Sequence, residues 1–170
     1  MYKSFEDIIS AACARTVRRT IAIAQAADDK MIHVAQAVTE RNLCDVILVG
    51  DGAKIARLMD EAGFSSEHVS VVDEAKVGRT AVELVSSGRA DIFVKGKMNT
   101  SDFLRAVLDK EVGLRTGRQL NVLTCYDEPG QKKLFFMTDG GMTIAPTLED
   151  KVEILKNAVP VLHSMGIEEP

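Results

Sequence analysis

Apolar positions along the chain switch repeatedly between a helical spacing and short unbroken runs. Residues 4–13 carry the helical spacing, and TIAIA at 20–24 is a run of strand length. Met31, Val34, Ala35 and Val38 form a stripe that predicts a helix over 28–41. DVILV at 45–49 predicts a buried strand, and 53–62 a helix stopped by Gly63. The alternation continues with a strand at 69–72, a helix over 75–87 ending before Gly88, a strand at 91–94 and a helix over 100–110. Apolar runs near 120–126 and 133–137 flank Asp127-Glu128-Pro129-Gly130, whose Pro-Gly pair predicts a hairpin. A last helix starts near Leu148, with Thr147 and Asp150 spaced for a capping box. Its expected stripe is Leu148, Val152, Leu155, Val159 and Leu162, and Pro160 is expected to kink or end it.

Short apolar strands separated by helices imply a parallel sheet covered on both faces, and right-handed crossovers wind such units into a doubly wound α/β layer. The hairpin adds an antiparallel element, so the expected sheet is mixed but mostly parallel. At 170 residues the chain is long enough for a proper core.

Composition narrows the chemistry. A net charge of -4 argues against a broad nucleic-acid or polyanion surface, so any anion site must be local. Cys13, Cys44 and Cys125 are odd in number and unrelated in spacing, which suits a reducing cytoplasm better than a disulfide frame or a zinc site. His33, His68 and His163 lack metal-ligand spacing, and no metal is expected. The chain opens without a basic-then-apolar leader, and no apolar run nears the roughly 20 residues that span a bilayer, so neither a membrane partner nor an export signal is expected.

Three segments are candidates for chemistry. In DIFVKGKMNTSDFLRAV, at 91–107, a strand ends in a loop with Lys95, Gly96 and Lys97 and a helix follows. Ligands in open α/β sheets sit beyond the carboxyl ends of strands, and a helix start offers unpaired N–H groups and a positive dipole end. Asn99 or Thr100 can cap that helix, with Asp102 completing the cap. Gly96 would let backbone approach a ligand, Lys95 and Lys97 add charge, and Thr100 and Ser101 add hydroxyls. Arg105 lies one turn after Ser101, and its side chain leans toward the same anion site, where it could hold a phosphate with two bonds. The plainer account makes the lysines solvated charges and pairs Arg105 with Asp102 or Asp109. By local physics alone neither account prevails.

The second segment, Gly50-Asp51-Gly52-Ala53-Lys54-Ile55 with Asp73 ending the next strand, imitates a dinucleotide fingerprint. Ile55 occupies the third glycine position and would crowd the helix–strand contact, so a plain turn with Asp51 as helix cap is the stronger reading. The third is the Gly140-Gly141 loop after 133–137, where Asp139 could position a substrate or orient Lys95, or could simply satisfy backbone amides. Arg115 and Arg118 lie between and would add positive potential or be solvated.

VKGKMNTSDFLRAVLDKEVGLRTGR at 94–118, FFMTDGGMTIAPTLEDK at 135–151 and VILVGD at 46–51 resemble the phosphate acetyl/butyryltransferase family, in its butyryltransferase branch, over essentially the whole chain. The resemblance implies reversible transfer of a short acyl group from acyl-CoA to inorganic phosphate, giving acyl phosphate and CoA. It implies a ternary complex, no metal or other cofactor, no covalent acyl-enzyme, and a homo-oligomer. It also implies two α/β domains around a cleft, as in isocitrate and isopropylmalate dehydrogenases. Lys95 and Gly96 match the family's lysine-glycine pair, Thr100 and Ser101 its phosphate/CoA region, Arg105 an arginine contacting CoA, and Asp139 and Gly140 its cleft motif. Family chains are much longer. The expected organisation is therefore an α/β domain at 1–140 and the start of a truncated second domain at 141–170, with catalytic groups beyond this chain and Asp139 as a possible contributor. An exposed apolar surface is expected where the remainder would dock. A non-catalytic CoA/phosphate-binding module is the alternative, and a nicotinamide-dependent dehydrogenase using Asp73 is a third.

Overall fold

The computed structural model describes residues 2–131 and 133–170. The chain opens with α1 (Phe5–Cys13) and divides into two compact units, one of Cys13–Arg115 and one of Met1–Ala12 with Thr116–Pro170. The 140/141 boundary expected from the sequence falls inside the latter.

In the Cys13–Arg115 unit the order is β1 (Arg19–Ala24), α2 (Asp29–Glu40), β2 (Cys44–Gly50), α3 (Gly52–Glu61), β3 (Val69–Asp73), α4 (Val77–Ser86), β4 (Ile92–Lys95) and α5 (Thr100–Val107). The strands form one parallel sheet in the order β3-β2-β1-β4. Each strand sends alternate residues to opposite faces. Ile21, Ile23, Val46 and Leu48 pack with Ile32 and Ala35 of α2 and Ile55 and Leu58 of α3. Ala22, Ala24, Ile47 and Val49 face the other way, onto Ala81 and Leu84 of α4. Helices thus cover both faces, which is why these strands read as continuous apolar runs. Gly63 and Gly88 end α3 and α4 with φ of 60° and 77°, conformations that cost glycine little.

Helix α2 is rotated relative to its expected stripe. Ile32, Ala35 and Thr39 are buried and Val34 is exposed. The sequence hides this face because one of its members is polar. Thr39 tolerates burial by donating its hydroxyl to the Ala35 carbonyl at 2.8 Å.

In the other unit, β5 (Thr124–Asp127) and β6 (Leu134–Met137) form the expected hairpin, with Thr124 opposite Met137 and Asp127 opposite Leu134. Tyr126 and Phe135 stack across it at 5.8 Å. It is a separate two-stranded sheet and does not extend the parallel one, so neither sheet is mixed.

Helix α6 (Leu148–Ser164) starts at the expected capping box, in which Asp150 N–H donates to Thr147 Oγ1 and Thr147 N–H to Asp150. It neither breaks nor ends at Pro160. Proline leaves the carbonyl four residues earlier without its helical donor. That carbonyl belongs to Lys156, and Arg118 Nη1 donates to it at 3.4 Å. The buried line is Ile154, Ala158 and Leu162, while Leu148, Val152 and Leu155 are exposed. Both lines have helical spacing, and the packing partner chooses between them.

Candidate anion site

Strand order locates the site before any side chain is considered. From β1 the chain winds to β2 and β3 on one side, and β4 then lies on the opposite side of β1. The direction therefore reverses between β1 and β4, and ligands of open α/β sheets bind beyond the carboxyl ends of the strands at such a switch point. Two loops leave the sheet there, at 25–28 and at 96–99.

These loops are stitched together by backbone. Gly96 N–H donates to Ala24 O at 2.9 Å, and Lys97 N–H to Gln25 O at 3.3 Å. Gln25 takes the left-handed conformation, φ 56°. A Cβ at position 96 would overlap the Ala24 carbonyl oxygen and sit 2.8 Å from that of Gln25. The neighbouring loop therefore accounts for the glycine in place of the close ligand approach expected from the sequence.

Helix α5 begins at this seam. Asn99 holds the N-cap position with extended dihedrals, but no side-chain capping hydrogen bond forms there among the described residues. The expected cap through Asn99, Thr100 and Asp102 does not form, because the Asp102 carboxylate is taken by Arg105, whose Nη1 lies 2.7 Å from Oδ1. Among the described residues, the leading N–H groups of α5 thus have no side-chain acceptor at the switch point, at the end carrying about half a positive charge. Thr100 and Ser101 are both exposed at this end. Three contacts set the direction of α5. Phe103 stacks on Phe93 of β4 at 4.6 Å. Gly78 of α4 leaves room for Met98 and Ala106. Arg79 of α4 bridges Glu83 at 2.9 Å, Glu111 at 3.3 Å and Asp109 at 3.6 Å.

Lys95 Nζ reaches the Thr100 hydroxyl at 3.4 Å. Lys97 Nζ pairs with Asp28 Oδ2 at 2.9 Å. Asp28 is the N-cap of α2, accepting from Lys30 N–H. Its hydrogen bond to Lys97 is the main cause that holds its carboxyl below the usual carboxylate range, and the same bond raises the Lys97 ammonium. The Arg105 side chain leans toward the helix start, as its position predicts, and there its exposed guanidinium pairs with Asp102. The plainer account thus describes the resting partners of Lys97 and Arg105. Asp109 is not a partner of Arg105, since it accepts from Glu111 and Val112 N–H. Three cations (Lys95, Lys97, Arg105) and two carboxylates (Asp28, Asp102) leave one net positive charge beside the helix end.

The other segments resolve as turns. Asp51 caps α3 by accepting from Lys54 N–H at 2.9 Å, Asp73 accepts from Gly52 N–H at 3.0 Å, and Ile55 is fully buried. The apparent fingerprint therefore spends its acid on its own loop. In the other unit, Asp139 is half-buried, and its Oδ1 accepts from Val122, Gly141 and Met142 N–H and its Oδ2 from Thr143 N–H. Burial pushes its carboxyl up, but the four amides outweigh burial and leave it below the ordinary value. These are the bonds of a loop anchor. Gly140 beside it is exposed, and a Cβ there would come 3.0 Å from the Met137 methyl. Arg118 serves α6, as described above.

The structure thus gathers Lys95, Gly96, Lys97, Thr100, Ser101 and Arg105 at the head of one helix, while Asp139 and Gly140 belong to the other unit. Sequence reasoning missed Gln25 and Asp28. The only sequence signal for them was their position just after the first strand, which becomes informative once strand order is known. Among the described residues no helix is long and apolar enough to cross a membrane.

A family model described as phosphate acetyl/butaryl transferase matches residues 4–80 and 76–170. A phosphate butyryltransferase of Clostridium acetobutylicum is 36% identical over 173 residues, covering 100% of this chain and 57% of that protein. A phosphate acetyltransferase of Thermotoga maritima is 33% identical over 159 residues, covering 92% of this chain and 54% of that protein. The crystal structure of a phosphotransacetylase from Streptococcus pyogenes shares the fold with a TM-score of 0.78 at 17% identity, over 94% of this chain and 59% of that one. The chain spans less than three-fifths of the length of these relatives. By the match along nearly its whole length, the chain belongs to the phosphate acetyl/butyryl transferase family.

Proposed function

We propose that this chain carries the phosphate- and CoA-binding part of a phosphate acyltransferase of the butyryltransferase type. The reaction is reversible transfer of a short acyl group between CoA and inorganic phosphate. A phosphate oxygen attacks the thioester carbonyl, the C–S bond breaks, and CoA leaves as its thiol after taking up a proton. Such chemistry mainly requires two bound, aligned substrates and donors for the tetrahedral oxyanion. The observation carrying the reading is the uncapped start of α5 at the switch point, flanked by Lys95, Lys97 and Arg105.

In this reading the α5 amides, Lys95 and the Thr100 and Ser101 hydroxyls hold phosphate, and Arg105 exchanges Asp102 for a CoA phosphate. CoA and phosphate are substrates, and no separate cofactor is called for. Groups that act on the reacting carbonyl are assigned to the portion of the relatives that this chain does not match. A cytoplasmic homo-oligomer completes the proposal.

The test mixes the chain with butyryl-CoA and phosphate and follows thiol release, beside CoA binding by calorimetry. CoA binding weakened by Arg105→Ala supports the site. A second reading is a CoA/phosphate-binding module without turnover. Thiol release by this chain excludes it, binding without thiol release is compatible with both readings, and absence of CoA and phosphate binding refutes both.

A further inference from the structure

The Lys97–Asp28 pair joins the two loops at the switch point and, among the described residues, is the one contact there that sets a carboxylate from another element against a cation of the anion loop. The partners differ in freedom. Asp28 has a side chain only 17% exposed and fixed by capping α2, whereas Lys97 is 76% exposed on a flexible stem. A helix cap does not need this charge, since serine and asparagine cap as well as aspartate. The charge does have an effect on anions, because a fixed carboxylate 2.9 Å from the ammonium occupies the position an incoming phosphate oxygen would take. The other charged side chains around the pair are Asp29 and Lys30, at the start of the same helix.

Building on the proposed anion site, we infer that Asp28 is an affinity-setting residue whose carboxylate competes with phosphate groups for Lys97. Phosphate or CoA binding then requires Lys97 to leave Asp28 or to share its protons with it. The pair lowers affinity and speeds release, which a reversible transferase needs in both directions. Asp28 acts through Lys97 and is not itself a substrate contact.

The experiment uses the 170-residue chain, with inorganic phosphate and CoA as calorimetric probes, in Asp28→Asn, Asp28→Ser and Lys97→Ala variants and the two double variants. Asparagine and serine both retain the cap, so the conclusion does not depend on one variant folding, and circular dichroism checks α2. Each Asp28 variant is expected to bind phosphate and CoA about threefold to tenfold more tightly, the scale of an exposed ion pair plus one removed repulsion. The salt dependence should steepen, because Lys97 becomes a full contributor. In the Lys97→Ala background the gain should shrink below about twofold. Unchanged or weaker binding in both Asp28 variants overturns the inference while leaving the site intact. An undiminished gain without Lys97 overturns it too, because Asp28 would then act by its field alone. Lys97→Ala binding as tightly as the parent removes Lys97 from the site and overturns the inference, while absence of phosphate and CoA binding by the parent chain overturns the site itself.

Discussion

Gly96→Ala tests the geometry on which the site rests. A methyl group at this position meets the backbone carbonyls of Ala24 and Gln25, and backbone cannot rotate aside as a side chain can. The loops at 25–28 and 96–99 must separate, straining the bonds from Gly96 N–H to Ala24 O and from Lys97 N–H to Gln25 O. Overpacking of this kind costs about 1–3 kcal/mol. Weakening the two hydrogen bonds adds roughly 1 kcal/mol or slightly more, giving about 2–4 kcal/mol in all. Urea unfolding followed by circular dichroism should show a lower midpoint, and phosphate affinity should fall because the head of α5 moves. Gly141→Ala is the control, since a Cβ there meets nothing within 4 Å, and should stay within about 0.5 kcal/mol of the parent. A Gly96→Ala protein as stable as this control would refute the close approach of the two loops.

Leu48→Ala, at a fully buried position of β2, should cost about 2–5 kcal/mol in the same unfolding assay. Arg118→Ala should destabilise by about 1 kcal/mol, and by clearly less in a Pro160→Ala background, where the restored N–H can take the Lys156 carbonyl. Asp91 and Asp150 are held below the ordinary carboxylate range chiefly by the N–H groups of Thr20 and Thr147, and Asp139 by its amides against burial. Their stabilisation is complete above the unfolded carboxylate pKa near ~4 and is lost as pH falls through the lower folded values. Stability measured from pH 7 downward should therefore be flat until about pH 4 and then fall, with Asp139→Asn flattening the fall.

Much of the fold was legible because each strand repeats one simple physical message. DVILV and TIAIA have no polar face to expose, so they require cover on both sides, and helices of matching length follow each. What was not legible depended on partners distant in sequence. The α2 face was obscured by Thr39, whose hydroxyl returns to its own helix. On α6, the line through Leu148, Val152 and Leu155 is as regular as the one that is buried, and the carbonyl that Pro160 leaves without a helical donor is met by Arg118. At the site, the glycine and lysines were visible as a cluster. Their local meaning required the loop after β1, because Asp28 lies 69 residues from Lys97 and Gly96 is set by Ala24 and Gln25.

The most direct test of the anion site is a phosphate titration of the ¹⁵N-labelled chain followed by amide NMR. The account predicts saturable shifts concentrated at the loop 96–99 and at Thr100 and Ser101, strongly weakened in Lys95→Ala. Shifts that ignore the head of α5, or that persist unchanged in that variant, would contradict it.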